Sequence, residues 1–265
     1  MKTVMTIAGS DSSAGAGIQA DLKTFAAFGV YGTSVITAIT AQNTQGVRRV
    51  EATSPEMVAA QIDAVIDDIG ADVVKTGMLG SAAVIDVVAS KLREHGLTQF
   101  VLDPVLAASD GSALLADGGI DALRERLLPL ALIVTPNVDE AGALVGRRLD
   151  GPEDIRQAAR EIVEMGARNV VIKGGDATGP AIDVFYDGQH YHDFGAARVD
   201  TENTHGTGCT FAAAIAAALA KGSAPRQAVA MAKAYVTKAM QMSYPLGHGH
   251  GPVHHFFRYW QDVSA

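Results

Sequence analysis

The chain has 265 residues, 48% hydrophobic and 19% charged, with 29 acidic against 21 basic residues for a net charge of −8. That balance excludes a general nucleic-acid binder, which needs a basic face for phosphates, and the apolar content excludes intrinsic disorder. The longest apolar stretch, Phe211 to Ala220, is about half of the roughly 20 residues a membrane helix requires, so no span and no membrane partner are expected. The opening MKTVMTIAGSD lacks the apolar core and cleavage site of a signal peptide, and the single cysteine, Cys209, excludes an internal disulfide. A cytoplasmic location is expected.

In chain order, short β-branched runs alternate with amphipathic, alanine-rich segments, the pattern of a parallel sheet with helices on its faces. Strands are predicted over Thr3 to Ala8, Thr33 to Thr40, Asp72 to Lys75, Gln99 to Leu102, Leu132 to Val134 and Asn169 to Ile172. Several are near-continuous apolar runs, as strands buried on both faces must be. Helices are predicted over Ile18 to Phe28, Pro55 to Ile69, Ala82 to His95, Ile120 to Leu127, Glu140 to Val145, Glu153 to Met165, Cys209 to Ala220 and Arg226 to Gln241. Ser54 before Pro55 and Ser81 before Ala82 supply N-caps. The run IDVFYDGQHYHDF, with Asp187-Gly188 at its turn, reads as a hairpin and as the one antiparallel element. No repeat, charge block or linker divides the chain, so one domain over residues 1–265 is expected.

Two glycine loops stand out. In Gly9-Ser10-Asp11-Ser12-Ser13-Ala14-Gly15-Ala16-Gly17 the segment GAGIQA fits the dinucleotide pattern G-x-G-x-x-G/A, but the loop is long and no carboxylate ends the next strand at Ala41-Gln42-Asn43. A flexible connection is one reading of this loop. A substrate-binding loop, with Asp21 one turn into the helix aimed at a pocket, is the favoured one. No G-x-x-x-x-G-K-[ST] occurs, so any nucleotide triphosphate is handled without a P-loop. The second loop, Asn203 to Thr210 (NTHGTGCT), runs straight into a helix closed by Gly222. Gly206 and Gly208 let successive backbone N–H groups converge at a positive helix end, an anion hole suited to a phosphoryl group in transfer. The same field is expected to favour the thiolate of Cys209. Three readings of Cys209 stand at this point: a nucleophile paired with His205, a small buried residue at a helix start, or a polarising group beside an acceptor hydroxyl.

Asn137-Val138-Asp139-Glu140 after Thr135-Pro136, and Asp103-Pro104 after Leu102, place carboxylates at the C-terminal edge of the sheet, where ligands of open α/β sheets sit. Asp103 and Glu140 together suit a hydrated Mg²⁺, although Glu140 alone also fits a helix-start carboxylate and Asp103 a turn residue. Lys173, in Val171 to Asp176, ends a neighbouring strand and could hold phosphate oxygens. The tract Gly247 to His255 carries His248, His250, His254 and His255. Without carboxylates it is a poor zinc site and reads as a rim loop or partner surface. Met231, Met240 and Met242 read as core or interface.

Taken together, TIAGSDSSAGAGIQADLKTFAAFGVYG, TAITAQNTQGV, VKTGML, LDPVLAASDGSALL, TPNVDEAGALVG, VVIKGG and NTHGTGCTFAAAIAAALAKG resemble the hydroxymethylpyrimidine/phosphomethylpyrimidine kinases of the ribokinase superfamily, over nearly the whole chain. The resemblance implies an α/β, ribokinase-like domain with a central, mostly parallel sheet flanked by helices on both faces, in a homodimer. It implies a transferase of thiamine biosynthesis that uses ATP and Mg²⁺ on 4-amino-5-hydroxymethyl-2-methylpyrimidine and then on its monophosphate. By the same resemblance Gly9, Asp21, Gln42 and Met78 form the pyrimidine pocket. Asn137 and Glu140 match the N-x-x-E element that orders Mg²⁺, with Asp103 beside it. Lys173 matches a lysine on ATP phosphates, and Gly206, Thr207 and Gly208 match the anion hole. Cys209 stands where sugar kinases carry an aspartate base, and the substrate oxygen is placed between it and the γ-phosphate. The alternatives are a pyridoxal or pyridoxine kinase of vitamin B6 salvage, and a catalytically dead ligand-sensing module.

Overall fold

The computed structural model describes residues 1–107, 111, 114–174 and 181–260. Gly175 and Asp176, and Ala108 to Asp110 with Ser112 and Ala113 in the segment after Asp103, lie outside the described residues.

Nine strands form one sheet among the described residues: β1 (Thr3–Ser10), β2 (Tyr31–Asn43), β3 (Gly46–Ala52), β4 (Val73–Thr76), β5 (Phe100–Leu102), β6 (Ile133–Val134), β7 (Val170–Ile172), β8 (Ala181–Tyr186) and β9 (Tyr191–Ala196). Their order is β3-β2-β1-β4-β5-β6-β7-β8-β9, so the order reverses direction beside β1. Strands β2, β1, β4, β5, β6 and β7 run parallel. The β8–β9 hairpin adds antiparallel strands at one end as expected, and β3 pairs antiparallel with β2 at the other. The expectation of a single antiparallel element is therefore corrected. Strand β3 (GVRRVEA) is mostly exposed, with no alternation to betray it, and its charges suit an edge strand that must not recruit another chain.

The helices are α1 (Gly17–Ala27), α2 (Pro55–Asp68), α3 (Ala82–Glu94), α4 (Gly119–Ala122), α5 (Val138–Val145), α6 (Pro152–Glu164), α7 (Thr207–Ala220) and α8 (Pro225–Gln241). Ser54 and Ser81 cap α2 and α3 by accepting from the backbone N–H of Met57 and Val84. The helix expected over Ile120 to Leu127 begins at Gly119 but unwinds into a π turn at Leu123–Leu127 and a 3-10 turn at Leu128–Leu130, because Pro129 lacks the amide an α-helix would use there.

Alternate residues of the central strands feed two cores. Met5, Val74, Phe100, Leu102, Val134 and Ile172 pack with α2, α3, α5 and α6. On the other face Val4, Val73, Val101, Ile133 and Val171 pack with α1, α7 and α8. Every residue of α7 from Thr210 to Ala220 is buried. Its alanines let the helix axis lie close to the sheet, which carries its N-terminus to the C-terminal edge of the strands.

Candidate active site

The ends of the parallel strands and the starts of α1, α5 and α7 meet at that edge around a cavity of about 950 Å³. Lys173 follows β7, and its Nζ lies 3.3 Å from Asp103 Oδ1 beyond β5 and 3.9 Å from Glu140 Oε2 at the start of α5. Asp103 is held in turn by the Thr135 hydroxyl, which donates to Oδ1 at 2.9 Å. Asn137 and Glu140 form a reciprocal capping box: the Glu140 N–H donates to Asn137 Oδ1 at 2.7 Å and the Asn137 N–H to Glu140 Oε2 at 2.8 Å. The helix-start reading of Glu140 therefore holds alongside its placement at the site. Burial, with the charge of Asp103, pushes Glu140 up to about 7 against the pull of Lys173. Burial works to lower the Lys173 pKa, but Asp103 and Glu140 outweigh it and hold the ammonium protonated.

Opposite this cluster, Gly206 turns the chain into α7 with φ +81°, and a side chain there would collide with the carbonyl oxygen of Gly15. Glycine is thus required at 206 by both backbone and space. Gly206, Thr207, Gly208 and Cys209 all line the cavity, and Lys173 Nζ is close enough to Gly208 that a Cβ there would sit 3.3 Å away. The first turn of a helix leaves amide donors without intrahelical partners, so a lysine and a positive helix end face one point.

Gly9, Gln42 and Met78 line the same cavity. Met78 is fixed by the Thr37 hydroxyl, which donates to its carbonyl at 2.6 Å, and its methyl group packs over Gly9. The Gln42 carboxamide accepts from Thr40 Oγ1 at 3.2 Å and lies 3.4 Å from His205 Nε2.

Two expectations are corrected here. Asp21 does not face the cavity: it is fully buried, accepts from Thr6 Oγ1 at 2.6 Å and pairs with Lys75 Nζ at 2.9 and 3.0 Å. Its place one turn into α1 points it beneath the sheet edge, where Lys75 of β4, equally buried, needs a counter-charge. Burial works to lower the Lys75 pKa, and Asp21, helped by the charge of Asp103, outweighs it and pushes it up. The Cys209 thiolate is not favoured either. Burial, with Asp21 and Asp103 adding like charge, pushes the thiol up to about 11 against the pull of Lys75 and a hydrogen bond from Gly17. The helix field is outweighed by desolvation.

Sequence reasoning assigned no role to Asp11. Its carboxylate accepts from the N–H groups of Ser13, Gly15 and Ala16 at 2.8, 3.1 and 2.8 Å and from His205 Nε2 at 2.8 Å. Burial works upward on Asp11, but the hydrogen bonds from His205, Ser13 and Ala16 hold it well below the usual carboxylate range. The amides that a pyrophosphate would need in the GAGIQA reading are thus already occupied by the loop's own aspartate. His205 Nε2 is committed to Asp11, with the Gln42 carboxamide nitrogen 3.4 Å away. The histidine tract divides: His250 lines the cavity, His248 is exposed, and His254 and His255 are buried, so the four do not form one rim or surface. Among the described residues no group of three or more His, Cys, Asp or Glu could hold a metal ion. Met240 packs against the core beside α7 and α8 and also lines the cavity, whereas Met231 and Met242 are exposed, so the core reading holds for Met240 alone. Among the described residues no helix is long and apolar enough to cross a membrane.

A lysine, two carboxylates and a glycine-started helix around one cavity are the parts of a phosphoryl-transfer site. The family model described as phosphomethylpyrimidine kinase matches residues 11–254. The chain belongs to the phosphomethylpyrimidine kinase family. It is a phosphotransferase with a ribokinase-like fold. The chain is 51% identical over 262 residues to a hydroxymethylpyrimidine/phosphomethylpyrimidine kinase of Rhizobium meliloti, covering 97% of this chain and 98% of that protein. It is 52% identical over 254 residues to a thiamine biosynthesis bifunctional protein of Geobacter sulfurreducens, covering 96% of this chain but about half, 52%, of that longer protein. Among solved structures it is similar to the pyridoxal kinase of Staphylococcus aureus in complex with AMP-PCP and pyridoxal, with a TM-score of 0.89 and 39% identity over 96% of this chain and 94% of that one.

Proposed function

We propose that this protein transfers the γ-phosphoryl group of ATP to the hydroxymethyl oxygen of 4-amino-5-hydroxymethyl-2-methylpyrimidine, and then a second phosphoryl group to the resulting monophosphate. The observation that carries the transfer chemistry is the approach of Lys173 to Asp103, Glu140 and Gly208 at 3.3, 3.9 and 3.3 Å across one cavity, the last measured to a Cβ position on the glycine. The pyrimidine assignment is supported by identity to the Rhizobium meliloti kinase over almost the whole length of both chains.

In each step an acceptor oxygen bonds to the γ-phosphorus as the bond from that phosphorus to the β-γ bridging oxygen breaks, releasing ADP. Such a transition state is loose and needs alignment and charge neutralisation more than a strong base. Lys173 and the first-turn amides of α7 neutralise the migrating group. Gly9, Gln42 and Met78 hold the ring: the carboxamide offers a donor and an acceptor to an aminopyrimidine edge, and the thioether a polarisable surface. In the first step Cys209, a thiol at neutral pH, orients the acceptor hydroxyl, whose proton passes late to an oxygen of the transferred phosphoryl group as the ester bond forms. Asp103 and Glu140 are oxygen donors at the phosphate end of the cavity, a set that fits Mg²⁺ retaining several waters. When bound, that ion would neutralise β- and γ-phosphate charge.

A second reading, pyridoxal phosphorylation, is favoured by the structural similarity to the Staphylococcus aureus enzyme. A homodimer is supported by Tyr31, Ile39 and Val50, apolar residues exposed on β2 and β3. Mass spectrometry of a reaction with Mg-ATP and the pyrimidine alcohol tests the proposal. Successive appearance of the mono- and diphosphate supports it, and unchanged alcohol overturns it.

A further inference from the structure

Beyond Ile172 the ladder between β7 and β8 changes character. Ile172 pairs with Val184, but one residue past Lys173 the Gly174 N–H donates to a side chain, Asp183 Oδ1, at 3.1 Å. A Cβ at Gly174 would collide with the carbonyl oxygen of Ile182, so this close approach admits only glycine. The second oxygen of Asp183, Oδ2, accepts from Lys233 Nζ of α8 at 2.9 Å. Asp183 is 3% exposed and flanked by Ile182 and Val184 in its strand, and burying a carboxylate there requires the partners that Lys233 and Gly174 supply. On the other side, the Lys173 N–H donates to the Pro136 carbonyl at 2.8 Å, and Lys173 forms a bridge with Asn137. The peptide planes on either side of the Lys173 Cα are therefore pinned by different elements.

We propose that Asp183, clamped by Lys233, is a positioning residue for Lys173, fixing the Gly174 peptide and hence the direction from which the Lys173 ammonium meets the donor phosphates. The inference rests on the phosphotransfer reading and deepens it by tying α8 and β8 to the transfer step. It concerns the donor side, so it is indifferent to which acceptor is used.

The test compares two double variants that both remove the Lys233 charge, so that they differ only in the acceptor offered to Gly174. Asp183→Asn with Lys233→Met keeps a carbonyl oxygen for the Gly174 N–H, and Asp183→Val with Lys233→Met removes it while keeping a β-branched, strand-compatible residue. The expected result is a kcat at least about tenfold lower for the valine than for the asparagine variant, read below the melting range of both, with acceptor KM matched and the valine variant's thermal midpoint lower by the loss of one buried hydrogen bond. Equal kcat in the two overturns the inference. So does an equally deep loss in both relative to wild type, which would assign Lys233 itself to the phosphates. Should the valine variant fail to fold, Asp183→Ala with Lys233→Met makes the same comparison. The ratio is read on whichever acceptor the wild-type enzyme uses, so a wrong acceptor leaves it intact. Wild-type silence on every acceptor overturns the phosphotransfer reading and this inference with it.

Discussion

Replacing Asp21 by asparagine separates a structural role from a substrate-binding one. The substitution leaves Lys75, a fully buried ammonium, without its counter-charge at 2.9 Å. Removing one partner of a buried pair costs about 3–5 kcal/mol. Lys75 sets a ceiling on this, since it can shed its proton: lowering its pKa from about 10.4 to about 7 corresponds to roughly 5 kcal/mol. With an unfolding entropy of about 2.1 cal/mol/K per residue, a 265-residue chain would lose roughly 5–9 °C in Tm. Replacing both, Asp21→Asn with Lys75→Met, should recover most of that loss because no bare charge remains. Scanning calorimetry with steady-state kinetics below the melting range checks both parts: Tm falls as stated while KM for the pyrimidine stays within about twofold. A Tm unchanged within about 2 °C together with a tenfold rise in pyrimidine KM would refute the reasoning and return Asp21 to the substrate.

Three other outcomes are expected. Lys173→Ala should lower kcat by about 100-fold or more with little change in pyrimidine KM, as removal of one preorganised donor to a transition state does; a change confined to KM in steady-state assays would contradict it. Because Cys209 is held up to about 11, alkylation by iodoacetamide should be slow at neutral pH and rise about tenfold per pH unit towards pH 10, and a rate already level at pH 7 would show the helix field prevailing over burial. His255 is lowered to about 3 by burial, with Lys23 and His254 adding to it, so it folds neutral. Below the unfolded value of about 6.5 only the unfolded chain takes up that proton, so stability falls with acid by up to about 1.4 kcal/mol per pH unit until pH nears 3. His255→Gln, which can keep a bond to the Thr210 hydroxyl, should flatten that slope in pH-dependent denaturant titrations, and an unchanged slope would count against the assignment.

The central strands were readable because each is buried on both faces and therefore spelled in apolar residues, as in Val170–Ile172. Strand β3 was not, because an exposed edge imposes polarity rather than periodicity. Residues at strand ends and helix starts, such as Asp103, Asn137, Glu140, Lys173 and Gly206, were legible from the edge rule of α/β sheets, and the structure brings them to one cavity. Asp21 shows where that logic stops: one turn into a helix fixes a face but not whether a buried lysine from another strand claims it. The signal was present in Lys75, a lone charge in the apolar run of β4, and again in Asp183, a lone acid in β8. A charge inside a buried strand demands a partner, but sequence does not name it. The pairing of Asp11 with His205, 194 residues apart, is of the same kind.

The most direct test of the central claim is ADP release with Mg-ATP, comparing hydroxymethylpyrimidine, its monophosphate and pyridoxal at matched concentrations. Turnover of both pyrimidines, with pyridoxal slower, is the predicted result. Turnover of pyridoxal with neither pyrimidine accepted would contradict it.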